Sequence, residues 1–209
     1  MNDDQNPLIV VVDDDASLRL ALVFLLESAG WRAIAYASAE EFLAEGDMLA
    51  GCLILDVRMP RMSGLELQRT LNERKIPLPV IFLTGHADVT IAVQAMKFGA
   101  CDFIEKPFKD QTLLDAVSQA VRRSRLMREE NATKLVLSDR LNKLSMREME
   151  VARLISKGLA YKVIGLQLDI SERTVQVHCQ NIRAKLDINS AAELVQMLIT
   201  AAPQDAPEP

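Results

Sequence analysis

Leu8-Ile9-Val10-Val11-Val12-Asp13-Asp14-Asp15 sets five β-prone apolar residues directly before three acids. A short continuous apolar run bounded by turn-forming residues reads as a buried strand. Four comparable runs follow at 31–36, 52–55, 79–83 and 101–105, with amphipathic helical patterns between them. Strands alternating with helices build a parallel sheet covered on both faces, so the first part of the chain is expected to hold five β/α units. Helix starts are marked by Ser38-x-x-Glu41 and Ser63-x-x-Glu66, spaced as capping boxes, and Asp15 is placed to cap the first helix. Gly30 and Gly99 mark helix ends.

The acids fall where such a sheet builds a site. In the flavodoxin-like, doubly wound strand order 2-1-3-4-5, the order reverses between strands one and three, and ligands bind outside the carboxyl ends at that point. Asp13 and Asp14 follow strand one and Asp56 ends strand three, so the three should converge. Three carboxylates sharing a pocket need a compensating charge, and a hard divalent cation, Mg²⁺ or Mn²⁺, supplies it. Lys106 brings a second positive charge from the end of strand five. Thr84 ends strand four with a hydroxyl suited to a phosphoryl oxygen, and Gly85 beside it leaves room. A carboxylate nucleophile, a metal and a lysine suit phosphoryl transfer onto an aspartate, with Asp56 as the acceptor.

Val12-Asp13-Asp14, Leu55-Asp56-Val57-Arg58-Met59-Pro60, Leu83-Thr84-Gly85 and Glu105-Lys106-Pro107-Phe108 closely resemble the receiver domain of two-component response regulators. The resemblance implies that Asp13, Asp14, Asp56 and the backbone carbonyl of Arg58 hold the metal, and that Asp56 takes phosphate from a sensor histidine kinase. It also implies that Lys106 and Thr84 contact the phosphoryl group, that Lys106-Pro107 is a cis peptide, and that Phe103 is the aromatic switch partner of Thr84. His86, two residues beyond Thr84, reads either as a solvated loop residue or, with Arg58, as a neighbour of the phosphate that alters its lifetime. Phosphorylation would reshape the fourth helix, 87–98, and the fifth strand into a homodimer surface that includes Lys97 and Asp102. One rival reading is that Asp13-x-Asp15 resembles the nucleophile motif of haloacid-dehalogenase-like phosphatases, with Asp13 phosphorylated instead. Another is a constitutive DNA-binding regulator whose receiver only docks proteins.

The second part is patterned as helices alone. Helices are expected at 144–157 and 162–168, then a turn at Asp169-Ile170 and a third helix after the Ser171 cap, a helix-turn-helix arrangement. On the third helix Val175, Cys179, Ile182 and Leu186 share an inward face, leaving Arg173, Gln176, Val177 and Gln180 outward. In a major groove, Gln pairs with adenine and Val meets a thymine methyl. Lys162, Arg173, Thr174, Arg183 and Lys185 complete the expected DNA contacts, the cations on phosphates. The runs Leu144-Ser145-Met146-Arg147-Glu148, Ile170-Ser171-Glu172-Arg173-Thr174-Val175-Gln176-Val177-His178 and Lys185-Leu186 resemble the LuxR-type effector domain, here four-helical. With the first part, the whole resembles FixJ-type regulators of the FixJ/NarL family. The family recognition positions fall on Gln176, Val177 and Gln180, and the chain departs by carrying Gln where many relatives carry Lys, and Tyr161 where Asn is common before Lys162.

These readings divide the chain into a receiver at 1–123, a helical linker at 124–140, a DNA-binding domain at 141–200 and a disordered tail at 201–209. The linker stretch 122–130 is highly charged and free of Gly and Pro, which favours helix. A net charge of −5 argues against a protein coated in nucleic acid, yet 138–200 carries nine Lys or Arg against seven Asp or Glu, so the acidity lies elsewhere. Cys52, Cys101 and Cys179 are far apart without a Cys-x-x-Cys pair and read as free thiols. Lacking a signal region or a membrane-length apolar run, the chain is expected to be a cytoplasmic transcription regulator, not an enzyme, with DNA, kinase and RNA polymerase as partners and no membrane.

Overall fold

Alternation along each central strand decides how the sheet is covered. A computed structural model describes residues 7–45, 51–85 and 89–201. Its strands are β1 (Leu8–Val12), β2 (Arg32–Tyr36), β3 (Cys52–Asp56), β4 (Val80–Thr84) and β5 (Asp102–Glu105), all parallel in the order β2-β1-β3-β4-β5. Successive side chains point to opposite faces. Val10, Val12, Leu53, Leu55, Val80 and Phe82 therefore pack into one core with Phe42, Leu67 and Leu71. Ile9, Val11, Ile54, Ile81 and Leu83 pack into a second with Leu22, Leu26, Leu113 and Val117. Every residue of β3 and β4 is buried, as central parallel strands require.

The helices supplying those covers are α1 (Ala16–Ser28), α2 (Ala39–Glu45), α3 (Gly64–Glu73), α4 (Val89–Lys97) and α5 (Asp110–Leu141). Asp15 caps α1 by accepting from the Ser17 and Leu18 amides at 2.8 and 3.2 Å. Ser63 and Glu66 close a full capping box on α3, and Gly30 and Gly99 follow α1 and α4 at positive φ. The expected five-stranded doubly wound sheet is thus present, with strand ends shifted by a residue at most.

Two compact units divide within α5, between Arg128 and Glu129. The stretch anticipated as a linker, 124–140, lies inside this single 32-residue helix. The second unit continues with α6 (Met146–Ser156), α7 (Tyr161–Leu168), α8 (Glu172–Leu186) and α9 (Ala191–Ala201). Its core joins Leu141, Leu144, Val151, Ile164, Val175, Cys179, Ile182, Leu186, Leu194 and Met197, so the inward face read for the third helix is the buried one. All three cysteines are free. Among the described residues no helix is long and apolar enough to cross a membrane. The tail beyond Ala201, His86 and Ala87 lie outside the described residues.

Candidate functional site

Val12 pairs with Leu55, which sets the next residue on each chain, Asp13 and Asp56, side by side at the carboxyl edge of the sheet. Both are buried, at 2% and 7% exposure. Lys106 reaches them from the end of β5, where its amide is held by the Thr84 carbonyl at 2.7 Å. Its Nζ donates to Asp13 Oδ2 at 2.8 Å and to Asp56 Oδ1 at 2.6 Å. Backbone amides take the other oxygens: Asp15 donates to Asp13 Oδ1 at 2.9 Å and Arg58 to Asp56 Oδ2 at 2.7 Å. Each carboxylate is therefore locked in orientation by protein groups alone, an arrangement in which low dielectric strengthens every bond. Asp14 is exposed at the rim, Thr84 is buried at the end of β4 opposite Glu105, and Lys106-Pro107 is cis.

Burial pushes the Asp56 carboxyl above the usual carboxylate range, and the neighbouring Asp13 charge adds to this against the opposing pull of Lys106 and the Arg58 amide. For Lys106 burial acts downward, but hydrogen bonds and charge from Asp13 and Asp56 outweigh it, so its pKa is raised and it stays an ammonium. Among the described residues no group of three His, Cys, Asp or Glu is gathered as a metal cluster: Asp13 and Asp56 face Lys106 and Asp14 faces outward. The donor set, hard carboxylate oxygens on adjacent strand ends, is nonetheless of the kind that Mg²⁺ takes. Phe103 is half-buried, its ring 6.3 Å from that of Phe82.

Two residues of this site were not singled out by pattern. Arg19, one turn into α1, donates to the Asp13 carbonyl at 2.7 Å. Gly64 opens α3 against the backbone of Asp56, where an added Cβ would lie 2.2 Å from the Asp56 carbonyl oxygen. A glycine directly after a helix cap was the available signal for Gly64; Arg19 left none.

In the second unit Glu172, Arg173, Gln176, Val177 and Gln180 line one open recess on α8. All five are exposed. Lys162 and Arg183 are exposed as well, whereas the Thr174 hydroxyl lies 2.8 Å from that of the Ser171 cap. Lys185 Nζ donates to buried Glu148 Oε2 at 2.6 Å. Glu148 also completes a capping box with Ser145, and Lys185, followed by the Ser145 amide, holds its carboxyl below the usual range. The helices flanking the turn end alike. Leu168-Asp169-Ile170 and Leu186-Asp187-Ile188 each place Asp in the left-handed region, φ 53° and 49°, and each Leu carbonyl accepts from an arginine, Arg147 for the first and Arg140 for the second.

Residues 9–118 match the family described as response regulator receiver domain, and 142–198 that described as bacterial regulatory proteins, luxR family. The transcriptional regulatory protein FixJ of Azorhizobium caulinodans is 44% identical over 202 residues, 95% of this chain and 96% of its own length. The response regulator protein TmoT of Ectopseudomonas mendocina is 42% identical over 93% of this chain and 89% of its own. Among solved structures, the response regulator StyR superimposes with a TM-score of 0.76 at 40% identity, covering 93% of this chain and 98% of that one. Full-length FixJ from B. japonicum gives 0.57 at 38% identity, covering 93% and 97%.

Proposed function

We propose how this chain works from one premise: it belongs to the FixJ/NarL family of two-component response regulators, transcription regulators that join a receiver to a LuxR-type DNA-binding domain. Asp56 is the phosphoryl acceptor. The observation that carries this is the pair of bonds from Lys106 Nζ to Asp56 and Asp13, which holds the buried Asp56 carboxylate, oriented by the Arg58 amide, beside a cation at the switch point of the sheet.

An Asp56 carboxylate oxygen attacks phosphorus, the bond from phosphorus to the donor's imidazole nitrogen breaks, and an acyl phosphate forms. Lys106 follows the negative charge onto the phosphoryl oxygens, where the Thr84 hydroxyl also binds. Asp13, Asp14, Asp56 and the Arg58 carbonyl would hold Mg²⁺ or Mn²⁺. Such a cation offsets the charge that accumulates when a phosphoryl group enters a pocket of carboxylates. Drawing Thr84 toward the phosphate lets Phe103 follow and shifts the surface of α4 and β5 toward a dimerising form. Two copies of α8 then meet paired half-sites, Gln176, Val177 and Gln180 on base edges and Lys162, Arg173 and Arg183 on phosphates, in reach of RNA polymerase.

The test is intact mass, sedimentation and DNA affinity with acetyl phosphate and Mg²⁺, for wild type and Asp56→Asn. Wild type should gain one phosphoryl group, dimerise and bind tighter, and the variant should do none of these. A phosphoryl group mapped to Asp13 would support the phosphatase-like alternative. Equal DNA affinity in every sample would replace the switch with constitutive binding.

A further inference from the structure

The C-terminal end of α4 is held by side chains of α3. Gln68 Nε2 donates to the Ala95 carbonyl and to the Phe98 carbonyl, each at 3.3 Å, and Asn72 Nδ2 donates to the Phe98 carbonyl at 2.9 Å. The Ala95 carbonyl lies in the last turn of α4, where helix acceptors lack partners from their own helix, and the Phe98 carbonyl lies just past its end. Along its length α4 grips the fold lightly. Ala95 alone among its described side chains is buried, while Val89, Val93 and Met96 are exposed.

Gln68 is an unusual residue for this place. It is 2% exposed, and its Oε1 has no hydrogen-bond partner among the described residues. A buried acceptor left unmatched is destabilising, and an apolar side chain of the same shape would remove it at little loss, because the Ala95 carbonyl still accepts from the Ala100 amide at 3.0 Å and the Phe98 carbonyl from Asn72. A packing role alone therefore does not explain an amide here. What the amide adds is two donors aimed at α4.

We propose that Gln68 and Asn72 are positioning residues that fix the C-terminal end of α4, so that the helix turns about that end when the acceptor site is charged. This rests on the phosphorylation reading above. Thr84, at the end of β4, precedes the helix, and a pull on it reaches the N-terminal end of α4 first. A helix anchored at its far end converts that pull into rotation of the exposed Val89, Val93 and Met96 face. Without the anchor the same pull is lost in sliding of the helix.

The test uses the full-length chain with Gln68→Met, which keeps the shape and removes the donors, and Asn72→Ala as a second, exposed variant. Beryllofluoride with Mg²⁺ serves as the acyl phosphate mimic. Expected for both variants is beryllofluoride binding as in wild type but dimerisation weakened about tenfold, the scale of coupling energies in switching proteins. Faster amide exchange at 95–100 should accompany it. Thermal stability of Gln68→Met should be equal or higher. Wild-type dimerisation in both variants would overturn the proposal, as would a Gln68→Met protein that loses stability and beryllofluoride binding together. Failure of the wild type itself to bind beryllofluoride would instead remove the phosphorylation reading, and the hinge with it.

Discussion

The pocket in the first unit and the exposed α8 face proposed to read DNA in the second are opposite solutions to presenting polar groups. Asp13 and Asp56 are buried, Lys106 is half-buried, and each is bonded to another protein group, so their orientation is set before any ligand arrives. Gln176, Gln180 and Arg173 are exposed, and no side-chain bond of theirs is formed with another described residue. A pre-paired pocket suits chemistry, where orientation must precede reaction. An unpaired face suits reading, because a donor already satisfied within the protein cannot report on a base. The two should therefore fail differently: pocket changes through lost folding energy and lost chemistry together, face changes through lost discrimination alone.

The largest expected effect follows from removing the shared cation. Lys106→Ala leaves two buried carboxylates facing each other and should cost the first unit about 3 kcal/mol, the scale for breaking a buried ion pair, as read by denaturant unfolding. A near-neutral result would mean that the pair is solvated and the contrast is overstated. Glu148→Ala removes the box on α6 and the partner of Lys185 together, and should cost the second unit about 2 kcal/mol. Gln176→Ala should leave unfolding unchanged and cost about 1.5 kcal/mol of preference at one base pair, checked by competition against single-base operator variants.

Acid should separate the units further. The Glu148 carboxyl is depressed, so its stabilisation is present above the unfolded carboxyl pKa and disappears as pH falls through the folded one. Asp56 is raised, so its contribution runs the other way and declines as pH climbs from the unfolded value through the raised one. Unfolding followed from pH 3 to 7, by tryptophan fluorescence for the first unit and amide exchange for the second, should give these two residues slopes of opposite sign once Asp56→Asn and Glu148→Gln are subtracted. The smallest effect is Asp187→Gly, which relieves a left-handed non-glycine residue at a helix end and should stabilise by about 0.5 kcal/mol in a melting experiment.

Legibility in the sequence followed separation along the chain. The strands, the caps at Asp15, Ser63 and Ser171, and the inward face of α8 rest on spacings of two to four residues, and local pattern found them. Convergence of Asp13 and Asp56 was readable because strand order is a rule of sheet topology, whereas Asp14, expected beside them, lies exposed at the rim. Lys185 was read as a phosphate contact, and nothing local signals its bond to Glu148, 37 residues earlier. Gln68, meeting α4 across 27 and 30 residues, gave no signal either. The stretch 124–140 was read as helical, but only the structure places it inside a helix that begins at Asp110.

The repeated Leu-Asp-Ile helix ends bear on how this protein should feel ionic strength. Arg140 and Arg147 spend their guanidinium groups on helix carbonyls and Lys185 spends its ammonium on Glu148, which leaves six of the nine cations in 138–200 without those duties. Each cation that reaches a DNA phosphate releases condensed counterions, so affinity falls with the logarithm of salt at about 0.9 per contact. If those six alone meet phosphate, the slope per protomer should be about −5.4. A regulator that works as proposed above would give up part of its hold on bulk DNA, and its choice of site would lean correspondingly on the amide and methyl groups of α8.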